Sequence, residues 1–226
     1  MSDPYLRSLR THFEHHGHPE NAPAMERYMR DQFQFLGIKT PERTTLFKQF
    51  VRAQGLPELN GLPSVLLSLW ALPQREFQYV GCDLLERFRK QLIPDLLPTV
   101  EQLITTQSWW DTVDNLAIHT VGEIYQRYPE AGRAAIEAWR CSDNMWLRRT
   151  TLLFQLMYKT ATDEGLLFAL IQDNAASKEF FLQKAIGWAL REYSKTNAQA
   201  VQEFVATHSL APLSRREALK WLQTRI

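Results

Sequence analysis

Apolar positions recur along the chain at intervals of three and four, with polar residues filling the turns between them. One such stripe, Leu182, Ile186, Ala189, Leu190 and Tyr193, predicts a helix opening near Ser177 with this face turned into a core. Proline marks where helices begin. Thr40-Pro41 has the pattern of an N-cap followed by proline in the first turn, and Leu72-Pro73, Tyr128-Pro129 and Ala211-Pro212 mark similar joints. No sustained period-two alternation appears, no Asn-Gly pair sits between two alternating runs, and glycines number only nine, so strands have no signature. The pattern predicts an all-α protein.

The helical stretches also resemble one another at a spacing of about 35 residues, the range of stacked two-helix repeats. Gln74, Asp111, Trp146 and Phe181 fall at equivalent places, each opening a helix that runs into YVGCDLL, DNLAIHTVG, RTTLLFQLM or KAIGWALREY, with REALKWLQ as a truncated last copy. A polar start, buried aliphatics and a short joint repeat, whereas residue identities do not. No linker or low-complexity tract interrupts the array, so a single curved α-solenoid over residues 1–226 is the expected architecture.

Composition changes this picture little. With 45% hydrophobic residues the 226-residue chain can bury a large core, and its formal net charge of +1 announces no nucleic-acid partner. No apolar run reaches membrane-spanning length, the opening MSDPYLRSLR lacks the apolar stretch of a secretion signal, and Cys82 and Cys141 lie in separate helical contexts. A cytoplasmic monomer without a disulfide is expected. Seven tryptophans exceed what such a core needs, which directs attention to where they sit.

Two of them lie in SWWDTVD, residues 108–114. Ser108 and Asp111 match the spacing of a capping box, which gives Asp111 a structural job. Asp114 lies past the capping positions and shares a helix face with Trp110, while Trp109 lines up with Val113 and Leu116 as core. On the later helix a second stripe, Phe181, Lys184, Trp188, Arg191 and Lys195 with Phe180 beside it, mixes large rings with cations. Such a mixture suits phosphate contact combined with packing on bases or sugars. Counting back one repeat from Lys184 gives Arg149, and a second gives Asp114, so these side chains are expected on one surface of the array. Long Lys and Arg stems lying over rings on an ordinary surface would produce the same stripe.

Other chemistries lack support. His12, His15, His16 and His18 cluster without a carboxylate or thiol at ligand spacing, beside Gly17 and Pro19, as at a fraying helix end. Gly-rich phosphate loops and the GxSxG, HExxH and CxxC motifs do not occur, and neither a metal nor a cofactor is expected.

Taken together, MERYMRDQFQFLGIKTPER (25–43), LWALPQREFQ (69–78), SWWDTVD, SDNMWLRR (142–149), FQLMYK (154–159), ASKEFF (176–181), QKAIGWALREYSKTN (183–197) and LAPLSRREALK (210–220) resemble the bacterial DNA alkylation-repair glycosylases of the AlkD type. The resemblance implies a HEAT-like helical-repeat solenoid that grips duplex DNA in its concave cleft. It places the catalytic Trp, Asp and Trp on Trp110, Asp114 and Trp188. DNA contacts fall on Tyr28, Arg148, Arg149, Phe180, Phe181, Arg191 and Lys195, with Lys184 added by the repeat spacing. Its implied reaction is hydrolysis of the N-glycosidic bond of cationic alkylated purines, 3-methyladenine or 7-methylguanine, in double-stranded DNA at the nucleoid, without extrusion of the base into a pocket. A helical-repeat scaffold that binds DNA or protein without chemistry is the alternative.

Overall fold

The computed structural model describes residues 4–225. They form the helices α1 (Pro4–His15), α2 (Ala22–Tyr28), α3 (Thr40–Gln54), α4 (Leu62–Trp70), α5 (Arg75–Arg87), α6 (Leu97–Thr105), α7 (Trp110–Asn115), α8 (Gly122–Arg127), α9 (Pro129–Arg140), α10 (Met145–Leu153), α11 (Glu164–Asn174), α12 (Phe180–Ser194), α13 (Ala198–Thr207) and α14 (Pro212–Leu219). No strand occurs among the described residues; Gln34 and Gln74 form one isolated bridge. Two compact units divide the chain between Gln91 and Leu92.

In the first unit, Leu6, Leu9 and Phe13 follow the helical interval along α1 and are buried. Pro41 stands in the first turn of α3 as expected, but the cap is Lys39, so Thr40 is already helical rather than the N-cap. The start of α5 is the polar part of this core. Arg75, Glu76 and Gln78 are all buried there. Their burial is compensated: Glu76 accepts backbone N–H groups of Leu36, Gly37 and Ile38 at 3.0, 3.0 and 3.1 Å. Gln78 donates its amide to the carbonyls of Leu69, Trp70 and Leu72 at 3.1, 3.3 and 2.8 Å, closing the end of α4. The Arg75 guanidinium lies 3.8 Å from the Phe33 ring centroid. Buried polar groups are tolerable only when paired in this way. Burial pushes the Glu76 carboxyl above its usual range, and the N–H groups draw it back. Gly37 sits at φ 86°, and a Cβ there would lie 1.9 Å from the His18 carbonyl oxygen, so no other residue fits.

In the second unit the helices form two rows. The row α6, α9, α11 and α13 is tied together by Trp139 Nε1 donating to Glu101 at 3.0 Å, Arg140 to Asp173 at 2.8 Å, and Gln172 meeting His208 at 2.8 Å. In the other row α7 packs on α10, α10 on α12, and α12 on α14. These cross-helix partners lie 33 to 38 residues apart in sequence, so a helix meets its counterpart one repeat away. The N-caps Trp109, Asn144 and Glu179 fall at even intervals, within two residues of the helix starts expected from the sequence. This is an α-helical repeat fold.

One irregularity was not foreseen. Leu116–Val121 forms a π turn inside the helix that runs from α7 into α8. A straight α-helix turns 100° per residue, so positions eight apart would face directions about 80° apart. The wider turn absorbs the extra residue, so Asp114 and Gly122 both face α10 and the chain just after it. The approach at Gly122 is close, because a Cβ there would lie 2.5 Å from the Phe154 carbonyl oxygen. The Tyr158 hydroxyl fixes the same point, donating to the Gly122 carbonyl at 2.6 Å.

Candidate active site

Asp114, Arg149 and Lys184 each stand five residues after an N-cap, on α7, α10 and α12. The sequence spacing thus brings equivalent positions into one row. What they do there differs from simple alignment along a surface. Arg149 donates from Nε to Asp114 Oδ1 at 2.7 Å and from Nη2 to Oδ2 at 2.8 Å, a bidentate pair. Its Nη1 donates to the Phe181 carbonyl at the start of α12. One guanidinium therefore ties three consecutive helices of the row.

The pair lies below the surface, with the Arg149 side chain 6% and the Asp114 side chain 13% exposed. Burial pushes the Asp114 carboxyl above its usual range; the two hydrogen bonds and the charge of Arg149 oppose that rise, and the nearby Asp111 carboxylate adds to it. Arg149 was expected to hold a phosphate. Here it is an internal partner that keeps Asp114 aimed and favours its charged form.

Beside this pair, Trp109, Trp146 and Phe181 form a ring cluster with centroids 5.9, 5.1 and 5.1 Å apart, built from the first turns of α7, α10 and α12. Asn144 sets the start of α10, its side chain accepting the Trp146 N–H at 2.9 Å. Trp109 is half-buried in the cluster, its indole N–H buried with no partner, while Val113 and Leu116 are core as expected. Ser108 is not the N-cap that its spacing to Asp111 predicts. Trp109 takes the N-cap position, and the Ser108 hydroxyl instead donates back to the Ile104 carbonyl at 2.6 Å, closing α6.

Trp110, half-buried, occupies the first position of α7, one turn before Asp114. Trp188, also half-buried, lies on α12 between Lys184 and Arg191, with Lys184 one turn before it. Neither cation of this stripe stands alone: Lys184 Nζ donates to Glu217 Oε1 at 3.1 Å and Arg191 Nη1 to Glu217 Oε2 at 2.8 Å. Lys195 is exposed and pairs with Glu192 at 2.6 Å. Phe180 is 50% exposed, edge-on to Phe181 with centroids 5.4 Å apart. Arg148 is half-buried, with its Nε buried and unpartnered, and it lines a shallow polar hollow with Arg140, Cys141 and Asp173. In the first unit, Tyr28 ends α2 with 72% of its surface exposed.

Sequence reasoning missed Glu217. Its signal was present in the truncated copy REALKWLQ, about one repeat beyond Lys184, but a carboxylate among cations does not say which of them it faces. It also missed the cavity of about 230 Å³ between the exits of α10 and α12, lined by Leu152, Gln155, Leu156 and Tyr193 and touched by Lys195. None of Trp110, Asp114 and Trp188 lines that cavity. The His cluster is taken up by its own neighbours: His12 meets the Leu46 carbonyl, His16 the His12 carbonyl, and His18 the Glu42 carboxylate. No helix among the described residues is long and apolar enough to cross a membrane.

The family described as DNA alkylation repair enzyme matches residues 9–222. A solved structure titled “Predicted DNA alkylation repair enzyme from Enterococcus faecalis” is 34% identical, with a TM-score of 0.85 over 91% of this chain and 96% of that one. No curated protein matches the chain.

Proposed function

The chain belongs to the DNA alkylation repair enzyme family, and from that premise we propose that it is a monofunctional DNA glycosylase. Its substrates would be cationic alkylated purines, such as 3-methyladenine and 7-methylguanine, in double-stranded DNA. One observation carries the reading: a carboxylate held by a bidentate arginine on the same helix face as a half-buried tryptophan. A groove that only bound phosphates would gain no affinity for DNA from such a carboxylate.

The lesion provides part of the activation. Alkylation at N3 or N7 puts positive charge on the base, so it leaves readily and needs no strong general acid. As the glycosidic bond breaks, positive charge grows on the deoxyribose, and a fixed carboxylate stabilises that charge more than it stabilises the ground state. Asp114 takes this role and can orient or deprotonate the attacking water. Arg149 acts through it as a positioning residue. Trp110 and Trp188 offer ring faces to the sugar, where cation–π attraction reaches roughly 2 kcal/mol in a desolvated contact. Lys184, Arg191, Lys195, Arg148 and Tyr28 supply phosphate contacts that set register without reading sequence, with Phe180 and Phe181 packing beside them. A site that reads the sugar-phosphate backbone has no need to extrude the base.

The observation that favours a second reading is the same pair. By tying α7, α10 and α12 together, Asp114 and Arg149 would also serve as a purely structural staple in a non-catalytic DNA-binding scaffold. Release of free purines from methylated duplex DNA separates the two. Release by the parent protein and not by Asp114→Asn supports the glycosylase. No release from either, with DNA binding retained, leaves the scaffold.

A further inference from the structure

Glu217 meets two cations of the α12 stripe, Lys184 and Arg191, at once. Its two oxygens accept from Lys184 at 3.1 Å and Arg191 at 2.8 Å, one oxygen for each cation. These cations stand seven residues apart, about 10 Å along the helix, with Trp188 between them. The carboxylate side chain is 13% exposed, whereas Lys184 and Arg191 keep 39% and 28% of their surface open. The stem of Glu217 is seated against Gly187, so closely that a Cβ on Gly187 would lie 2.5 Å from the Glu217 Cβ. Ser214 holds the same contact, its hydroxyl donating to the Gln183 carbonyl at 2.9 Å. The glycine lets α14 sit directly on α12, and that seating delivers the carboxylate between the two cations. The hydrogen bond from Lys184 leads the interactions that hold its carboxyl below the usual range, so it is charged at neutral pH.

We propose that Glu217 is a built-in phosphate surrogate. It occupies, from inside the protein, the anion position between Lys184 and Arg191, holding both cations around Trp188 and cancelling part of their charge. A DNA phosphate docking from the open side must share these donors with it. The consequence is restrained attraction for undamaged backbone: the cations are arranged before DNA arrives but bind it less strongly than two free cations would. The inference rests on DNA as the ligand of this stripe and not on the glycosylase chemistry.

The test compares the full chain with Glu217→Gln, which keeps the stem against Gly187 and removes only the charge. Binding to an undamaged duplex is followed by fluorescence anisotropy between about 50 and 200 mM salt, beside purine release from methylated DNA. The expected result is several-fold tighter binding at the lower salt and a log–log salt slope steeper by about 1, the value of one further phosphate contact. In Glu217→Gln/Lys184→Gln the gain is expected to shrink, and circular dichroism checks that each variant is folded. Weaker or unchanged binding by a folded Glu217→Gln would overturn the surrogate. Tighter binding without purine release from the parent would overturn the glycosylase reading alone, and no DNA binding by the parent would overturn both.

Discussion

Replacing Asp114 by Asn keeps the shape of the side chain, removes its charge, and turns one hydrogen-bond acceptor into a donor facing the Arg149 guanidinium. Breaking a buried ion pair from one side costs about 3–5 kcal/mol, because the surviving charge is stranded. Asp114 keeps 13% exposure, and Arg149 retains the Phe181 carbonyl. The loss should therefore fall at or just below the low end of that range, about 2–3 kcal/mol, or roughly 5–10 °C in Tm for a chain of this size. Excision should fall about 10²–10³-fold, the usual effect of removing one fixed group that stabilises transition-state charge. Adding Arg149→Met removes the stranded cation and should return stability to within about 1–2 kcal/mol of the parent. It should not return activity, since the carboxylate is still missing. Thermal unfolding and single-turnover purine release, measured on the parent, both single variants and the double, check the two quantities separately. An Asp114→Asn protein as stable as the parent would refute the stranded-charge reasoning. Recovery of excision in the double variant would show that the lost activity came from instability.

Purine release should decline as pH falls through the raised pKa of Asp114, with an acid limb above the value of about 3.9 for an ordinary Asp. Arg149→Met should move that limb further up, and a rate profile with its limb at or below the ordinary value would contradict a buried catalytic carboxylate. Glu76→Gln leaves at least one of three backbone N–H groups without its carboxylate acceptor and should destabilise the protein by about 2–3 kcal/mol in urea unfolding. Gly187→Ala forces α14 off α12 and should cost about 1–3 kcal/mol of stability. It should also tighten duplex binding in the direction of Glu217→Gln, because the carboxylate is displaced from Lys184 and Arg191; unchanged binding and Tm would mean that the methyl group is accommodated without moving Glu217.

The helical pattern was legible because burial writes itself on a period: of the stripe Leu182, Ile186, Ala189, Leu190 and Tyr193, the first four are buried as the sequence predicted and Tyr193 is half-buried. Repeat spacing brought Asp114, Arg149 and Lys184 to equivalent positions, since stacked helices preserve register. Direction was not legible. Arg149 and Asp114 were assigned to one surface, and nothing in their spacing distinguishes two charges facing DNA from two charges facing each other. The Phe181 backbone carbonyl that takes the third arginine hydrogen bond carries no side-chain signature at all. Ser108 shows a similar limit. Its spacing to Asp111 fits a cap, yet the hydroxyl turned to the helix behind it, because Trp109 already occupied the N-cap position.

The π turn at Leu116–Val121 makes the candidate site depend on chain length as well as on residue identity. Deleting any one residue from it would let the segment relax into an ordinary α-helix, which is locally more favourable. Asp114 and Gly122 would then stand seven positions apart, about 700° of ordinary α-helix and within about 20° of two full turns, so both would keep the directions they have now. Adding a residue has the opposite effect: unless the turn widens again, everything on one side of it rotates by about 100° against the other, and either the carboxylate at Arg149 or the close contact at Phe154 is lost. A single codon added to a stretch that contains none of the candidate catalytic residues would thus disarm the site, while one removed from it would not, although every residue assigned to the site stays in the sequence either way.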